Sequence, residues 1–247
     1  SGNHAQGVAA AAMICGLSSL IVMPQDAPEM KVARTRRYGA EIVTYNRETD
    51  DRDAIAQRLC AERNAAFIPP FDHRDVIAGQ GTVGLELMEQ ASEMNATPDA
   101  VLAPCSGGGL ISGIAIAVKQ ANPATEIYSV EPEGFDDLAR SLASGRRERN
   151  ERMSGSICDA LLAPSPGELP FEICKRTLAG GVAVSDDEVR DAVRFASEEL
   201  KLVVEPGGAV ALAAVLSGKI PAFGRTVACV LSGGNVDPEL FAELIGA

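Results

Sequence analysis

The sequence has no tryptophan, only two histidines, and fewer basic than acidic side chains, which gives a formal net charge of −12. A polyanionic partner needs a basic footprint, so this charge argues against binding to nucleic acid or to an anionic membrane surface. Two histidines are too few for a histidine metal cluster. The six cysteines form no CxxC pair, which favours a reduced, cytoplasmic protein.

Long hydrophobic runs and targeting signals are also missing. No apolar run approaches the roughly 20 residues that span a bilayer. No basic segment followed by an apolar one opens the chain, as it would in a signal peptide. With 46% hydrophobic and 23% charged residues, the composition is that of an ordinary soluble globular protein.

Short apolar runs alternate with segments of helical pattern, and this alternation predicts a parallel α/β fold. The double proline at 69–70 interrupts the series and predicts two lobes, residues 1–70 and 71–247. The polar stretch 138–170 has no clear pattern. The predicted strands are 20–23, 40–44, 100–103, 127–130 and 226–231, the last wholly apolar, as in a strand covered on both faces. The predicted helices are 4–16, 27–38, 53–63, 82–94, 110–120 and 185–201.

The pattern G-x-G-x-x-G occurs once, at Gly79, Gly81 and Gly84, where it is predicted to open a helix. A dinucleotide-binding fingerprint follows a strand, and an acidic residue lies about 20 residues further on. The preceding segment PPFDHRDVIA is not a clean strand, and the next predicted strand ends in Pro104 and Cys105. The match is therefore weak support for a dinucleotide site.

Two glycine turns follow predicted strands. Residues 106–110, Ser-Gly-Gly-Gly-Leu, join the strand 100–103 to a helix. Such glycines let successive backbone N–H groups converge, and the helix N-terminus adds partial positive charge, so the segment suits a phosphate. In the turn 231–235, LSGGN, the Ser232 hydroxyl could bond a heteroaromatic nitrogen. The alternative in both places is a tight turn without a ligand.

Two polar segments are further candidates. Residues 1–4, Ser-Gly-Asn-His, lie at a helix start and suit a small carboxylate, the alternative being helix capping. The loop 131–137 carries oxygen ligands, among them Glu131 and Asp137, that suit Mg²⁺ or Ca²⁺. The alternative is a solvated acidic loop.

Taken together and in order, seven segments resemble the fold-type II pyridoxal-phosphate enzymes, in the branch of serine/threonine dehydratases and serine racemase. The resemblance covers essentially the whole chain and implies a two-lobed parallel-sheet fold like that of the tryptophan synthase β chain. The segments are SGNHAQG at 1–7, APEMKVARTRRYGAEIV at 27–43, GQGTVGLEL at 79–87, SGGGLISG at 106–113, VEP at 130–132, EPGGAVALAA at 205–214 and LSGGN at 231–235.

The resemblance implies pyridoxal 5'-phosphate as cofactor, and it implies a role for each matching residue. The family often has a glycine where Ser106 stands, and a serine supplies the same amide. For the cofactor, the resemblance implies that Asn3 bonds the ring hydroxyl, that Ser232 contacts the pyridine nitrogen, and that the phosphate is bound by the amides of Ser106, Gly107, Gly108, Gly109 and Leu110. For the substrate, it implies carboxylate binding by Ser1, Gly2, Asn3 and His4, and proton exchange by Ser1 in racemase members. It also implies that Glu131, the Phe135 carbonyl and Asp137 match the Mg²⁺ or Ca²⁺ site of some members.

One departure concerns the Schiff-base lysine, which the family carries in a Ser-Phe-Lys segment upstream of the SGNHAQG loop. None of the five lysines, Lys31, Lys119, Lys175, Lys201 and Lys219, has that context. We therefore expect that the N-terminal segment is missing and that these 247 residues alone are inactive.

For the intact protein, the resemblance implies β-elimination of L-threonine or L-serine to a 2-oxo acid and ammonia. It also implies a homodimer acting on a small amino acid. A serine racemase or a hydroxyaspartate-type dehydratase on the same scaffold is the alternative. A non-catalytic ligand-binding chain is an alternative of another class, consistent with the absent lysine.

Overall fold

A computed structural model describes residues 2–27, 29–46 and 48–246. The chain divides into two compact units, Ser1–Pro69 and Pro70–Ala247. Each unit is built on a parallel sheet, as the alternation of strands and helices predicts. None of the described helices is both long enough and apolar enough to cross a membrane.

The first unit is a two-stranded parallel sheet with three helices. The strands pair in register from Leu20 opposite Glu41 to Pro24 opposite Tyr45. Small and apolar side chains from α1 and β1, Ala5, Ala9, Ile21 and Met23, form its core together with Ala40. Every element ends within two residues of the predicted bounds. The elements are α1 (Gly2–Ile14), β1 (Leu20–Pro24), α2 (Glu29–Arg37), β2 (Glu41–Tyr45) and α3 (Arg52–Arg63).

The second unit contains a four-stranded parallel sheet in the order β5-β4-β3-β6. Its helices and strands are α4 (Arg74–Glu93), β3 (Ala100–Pro104), α5 (Gly109–Ala121), β4 (Glu126–Pro132), α6 (Asp137–Ser144), a 3₁₀ turn (Asp159–Leu161), α7 (Glu168–Thr177), β5 (Gly180–Val184), α8 (Asp186–Glu198), α9 (Pro206–Leu216), β6 (Val227–Cys229) and α10 (Pro238–Ile245).

Helices cover both faces of this sheet. Successive side chains of a strand point to opposite faces, and β3 shows the consequence because all five of its residues are buried. Ala100 and Leu102 join one apolar cluster with residues of α8 and α9. Val101 and Ala103 join a second cluster with residues of α5 and α7. The wholly apolar sequence of β3 follows from this double coverage.

The glycines of the G-x-G-x-x-G pattern lie inside α4 and do not open it. The helix begins at Arg74, where the preceding His73 accepts a hydrogen bond from the Asp75 amide. A Cβ atom at Gly84 would lie 2.8 Å from the Ile114 carbonyl oxygen of α5, and one at Gly81 would lie 3.3 Å from the Gly113 oxygen. The glycines therefore let α4 and α5 pack closely, and the dinucleotide hypothesis is wrong.

Two substitutions in this pattern should have opposite effects on stability. Gly84→Ala should lower the free energy of unfolding by about 1–3 kcal/mol, the usual cost of overpacking a filled interior. Gly79→Ala should raise it by up to about 1 kcal/mol, because alanine favours helix and no atom lies within 4 Å of a Cβ there. Urea denaturation of both variants checks this, and equal effects would contradict the packing argument.

Several elements of the second unit differ from the sequence-based prediction. The strand predicted over 226–231 is shorter, since β6 covers Val227–Cys229, and its residues are half-buried because it ends the described sheet. The patternless stretch 138–170 contains most of α6, the 3₁₀ turn and the start of α7. Helices α9 and α10 are also absent from the predictions, and α4 begins at Arg74, before the predicted start at residue 82. Strand β5 is absent from the predictions because Gly180 and Gly181 weaken its strand pattern.

Candidate cofactor site

The two glycine turns lie at the same edge of the sheet. Residues 106–108 follow β3 and lead into α5, which begins at Gly109. Strand β6 runs parallel to β3, with Leu102 opposite Cys229 and the Val230 amide donating to the Leu102 carbonyl at 2.9 Å. The carboxyl ends of both strands therefore open on one edge, where ligands bind in open parallel sheets. Ser232, just beyond β6, is exposed there.

Each glycine of the 106–110 turn is required by a close neighbour. A Cβ at Gly107 would lie 2.3 Å from the Phe71 ring, and one at Gly109 would lie 2.9 Å from the Phe71 Cα. Gly108 has a φ of +90°, and a Cβ there would lie 2.8 Å from the Pro170 Cβ. No side chain fits at these three positions, so the backbone itself forms the surface of the turn.

Hydrogen bonds fix this backbone on several sides. The Cys105 amide donates to the Val130 carbonyl at 2.9 Å, and the Gly167 amide donates to the Gly107 carbonyl at 3.0 Å. The Ala163 amide donates to the Ser106 hydroxyl at 3.2 Å. The first N–H groups of α5 have no intrahelical partner, and they carry the positive end of the helix dipole. The turn is therefore held rigidly at the electropositive start of α5.

Two residues that the sequence reasoning missed hold the turn from outside. Phe71 packs against Gly107 and Gly109. The Asp72 carboxylate caps α7, accepting hydrogen bonds from the amides of Glu168 at 2.9 Å and Leu169 at 3.0 Å. The Asp72 contacts join residues almost 100 positions apart, and the Phe71 contacts also link separate elements, so no local pattern could have indicated them.

Cys105, which precedes the turn, is not a reactive thiol. It is 2% exposed, and its Sγ donates a weak hydrogen bond to the Ser106 carbonyl at 3.4 Å. Burial, followed by the nearby Glu131 carboxylate, raises the pKa of the Cys105 thiol well above its usual value. The thiol therefore acts as part of the core behind the turn.

Two fully buried carboxylates flank the loop between β4 and α6, with Glu131 near the end of the strand and Asp137 at the first position of the helix, so the predicted alternative of a solvated acidic loop does not fit them. Glu131 accepts hydrogen bonds from the amides of Leu138 at 3.0 Å and Ala139 at 2.8 Å, so it caps α6. Burial, followed by the charge of Asp137, raises the pKa of Glu131, and burial raises the pKa of Asp137 to about 6. Phe135, between them, is also buried.

One oxygen of this pair has no partner. Asp137 Oδ1 accepts a hydrogen bond from Asn150 Nδ2 at 2.6 Å. Asp137 Oδ2 is buried and has no hydrogen-bond partner among the residues that the structure describes. Over the same residues, no group of three or more histidine, cysteine, aspartate and glutamate side chains could hold a metal ion.

The predicted carboxylate-binding residues belong to the first unit. Gly2, Asn3 and His4 form the first turn of α1, and Ser1 lies outside the described residues. His4 Nε2 lies 2.9 Å from the Ile68 carbonyl, which can only accept, so Nε2 carries the proton. Burial lowers the pKa of His4. Its neutral side chain thus attaches α1 to the segment that follows α3.

The lysines other than Lys31 hold local structure. Lys119 donates to the carbonyls of Pro123 and Thr125 in the turn between α5 and β4. Lys175 pairs with Glu172, Lys201 donates to the Glu198 carbonyl, and Lys219 bonds both Glu188 and the Ala183 carbonyl. The Lys31 ammonium lies near Gly2, where a Cβ would be 3.7 Å from Nζ.

Comparison with known proteins agrees with this geometry. A family model described as pyridoxal-phosphate dependent enzyme matches residues 1–233. The L-threo-3-hydroxyaspartate ammonia-lyase of Saccharomyces cerevisiae is 42% identical, over 99% of this chain and 74% of the relative. Other similar proteins include L-threonine ammonia-lyases and serine racemases.

Solved structures with the same fold come from the same group of enzymes. A threonine deaminase from T.th. superposes with a TM-score of 0.91 at 46% identity, covering 96% of this chain and 76% of that one. Maize serine racemase superposes with a TM-score of 0.90 at 37% identity, covering 98% and 73%. The chain thus spans about three quarters of the length of these relatives.

Proposed function

The chain belongs to the family of pyridoxal-phosphate dependent enzymes, and from this we propose that the intact protein is an ammonia-lyase for hydroxy amino acids. It removes the amino and β-hydroxyl groups of L-threonine or L-serine and releases a 2-oxo acid and ammonia. The observation that carries the proposal is the closely packed glycine turn at 106–110, at the start of α5 and at the same sheet edge as Ser232. The names of the similar ammonia-lyases support the reaction class.

The residues at the sheet edge fit this cofactor. The amides of Ser106, Gly107, Gly108, Gly109 and Leu110 would hold the phosphate. Ser232 would meet the pyridine nitrogen. The role of bonding the ring hydroxyl falls, by family membership, to Asn3 in the first unit. The bound group supplies an electron sink for charge that develops at the substrate α-carbon. Ser232, a neutral hydroxyl, does not enforce protonation of the ring nitrogen as a carboxylate would, and this favours prompt loss of the β-hydroxyl over a long-lived carbanion.

The substrate is held by its own carboxylate. Residues Ser1, Gly2, Asn3 and His4 are proposed to bind it through the amides at the start of α1, where a helix favours an anion. The hydrogen bond from His4 to Ile68 supports a backbone role for His4, because its Nε2 proton is already engaged. Family membership also underlies the proposals of a homodimer and a cytoplasmic location.

A racemase or hydroxyaspartate lyase is the second candidate, supported by the similar proteins of those names. A panel of L-threonine, L-serine and L-threo-3-hydroxyaspartate, assayed for keto acid, ammonia and D-serine, separates the three activities. Keto acid from L-threonine supports the proposal. Turnover of hydroxyaspartate alone, or D-serine as the main product, would reject it in favour of the corresponding alternative.

We further propose that Glu131, the Phe135 carbonyl and Asp137 hold Mg²⁺ or Ca²⁺. The buried Asp137 Oδ2 without a hydrogen-bond partner supports a cation there, because a buried unpaired carboxylate oxygen is costly. The three proposed ligands are a carbonyl and two carboxylates, a set of hard oxygen ligands that suits these ions.

Removing the cation should therefore lower stability. EDTA should reduce the melting temperature, because a ligand bound only by the folded state stabilises it, by about 2.7 kcal/mol at 100 times its Kd. Asp137→Asn should abolish this response. Asp136→Asn is the matched control, since it removes the same charge from the neighbouring half-exposed residue and should preserve the response. A melting temperature that EDTA leaves unchanged would contradict the cation site.

A further inference from the structure

A continuous set of hydrogen bonds joins the buried Asp137 carboxylate to the 106–110 turn, which is called the phosphate turn below. Asn150 Nδ2 donates to Asp137 Oδ1 at 2.6 Å and to the Ala163 carbonyl at 2.8 Å. The amide of the same Ala163 donates to the Ser106 hydroxyl at 3.2 Å. All four residues belong to the second unit. The Asp137 carboxylate and the phosphate turn are thus connected through the Asn150 side chain and the Ala163 backbone.

The Asn150 side chain can take only one orientation in this network. Both hydrogens of its amide nitrogen are used, and its Oδ1 accepts a hydrogen bond from Arg140 Nη2 at 2.6 Å. Its backbone amide donates to the Pro164 carbonyl at 2.9 Å. Exchanging the amide oxygen and nitrogen would place two acceptors against each other at Asp137 and at Ala163. Asn150 is therefore held in one orientation against the backbone of Ala163 and Pro164.

The Ser106 hydroxyl is the only side-chain group of the 106–109 turn, because the next three residues are glycines. Its hydrogen bond to Ala163 holds the first peptide of the turn from outside, so the N–H groups keep their direction. The carbonyl of Gly107, the next residue, is held by Gly167 from the same chain segment. The segment 163–167 thus acts as the support of the turn.

We propose that Asn150 is a positioning residue that sets the shape of the phosphate turn from the Asp137 carboxylate, through the Ala163 peptide and the Ser106 hydroxyl. The inference rests on the proposed cofactor role of the turn. It makes the hydrogen bond between Asn150 and Asp137 a second determinant of phosphate-ester affinity. Loss of the Ser106 hydroxyl or of the Asn150 side chain should then weaken binding of a phosphate ester, and loss of both should do little more damage than loss of one.

The probe is pyridoxamine 5'-phosphate, which has no aldehyde and so does not react with surface lysines. Its affinity is measured by titration calorimetry for the wild type, Ser106→Ala, Asn150→Ala and the double variant. We expect each single variant to bind about threefold to tenfold more weakly, the equivalent of one ordinary hydrogen bond. The affinity of the double variant should be no lower than that of the single variant with the lower affinity, because contacts in one network are not additive.

Two further variants separate positioning from general stability. Ser106→Thr keeps the hydroxyl and should retain wild-type affinity. Asn122→Ala removes an asparagine whose side chain is likewise hydrogen-bonded, accepting from the Ala124 amide at 3.1 Å, but which lies just after α5 and outside this network. It should lower the melting temperature without changing the affinity. If Asn150→Ala does not fold, Asn150→Ser takes its place in the cycle.

The outcomes distinguish this inference from the proposed function. Single-variant losses that multiply in the double variant would overturn the connection while leaving the phosphate turn in place. Equal affinities for Ser106→Ala and Ser106→Thr would overturn it as well. A wild-type protein that does not bind the probe would reject the cofactor role itself, and the positioning role with it.

Discussion

The 247 residues alone should release no keto acid from L-threonine or L-serine, whereas a form extended through the coding sequence ahead of residue 1 should release it. The reason is the Schiff-base lysine, which the family carries upstream of the SGNHAQG loop and which none of the five lysines here matches. Loss of a general base typically costs about 10²–10⁴-fold in rate. Loss of covalent attachment of the cofactor adds to this, so no turnover should be detectable.

The measurement is keto-acid release by both forms, side by side and with added pyridoxal phosphate. A third form, with the upstream lysine of the extended chain replaced by alanine, is the matched control and should be as inactive as the 247 residues. Robust turnover by the 247 residues would show that the essential lysine is not where the resemblance puts it. An extended form that turns over no hydroxy amino acid would reject the lyase proposal.

Gly108→Val should eliminate binding of pyridoxal phosphate. Gly108 has a φ of +90°, which a β-branched residue does not adopt without strain, and its Cβ would lie 2.8 Å from the Pro170 Cβ. The turn has to change shape to relieve the backbone strain and the contact with Pro170. Its N–H groups would then be misaligned for one phosphate. We expect the affinity for the cofactor to fall below detection in equilibrium dialysis.

Gly145→Val is the control for backbone strain. Gly145 ends α6 at a φ of +76°, and no atom lies within 4 Å of a Cβ there. This variant should lose about 1–3 kcal/mol of stability, the cost of a residue held in an unfavourable conformation, and should still bind the cofactor. If Gly108→Val also binds normally, the 106–110 segment is only a turn between β3 and α5.

The first unit shows how much local pattern can predict. Strand β1 is a short apolar run closed by Pro24, and α2 is followed by Gly39 as a stop signal. Each element is decided by residues close to it in the chain. In the second unit the same signals predict α8, where Ser185 and Glu188 form the expected capping box. These signals do not predict β5. Its Gly181 allows close packing on α6, because a Cβ there would lie 2.7 Å from the Ala139 Cβ.

The candidate site divides in the same way. The turn 106–110 and Ser232 follow strands, so the sequence places them at strand ends, and pairing of β3 with β6 then brings the ends to one edge. The support of the turn by Phe71, Asp72 and Ala163 involves residues far away in sequence. No spacing rule reaches such contacts, since they depend on how the helices pack.

By itself, the sequence determined the parallel α/β class, the place of the glycine turns and the chemistry of the candidate ligands, because these depend on local periodicity and on residue type. Only the tertiary structure decided what the Gly79 to Gly84 pattern does, since one glycine pattern serves a phosphate or a helix contact according to what packs against it. It also decided that Glu131 and Asp137 are buried. Burial and long-range hydrogen bonds are properties of the packed chain. The same two acidic residues could equally stand in a solvated loop, so the sequence alone does not show that they are buried.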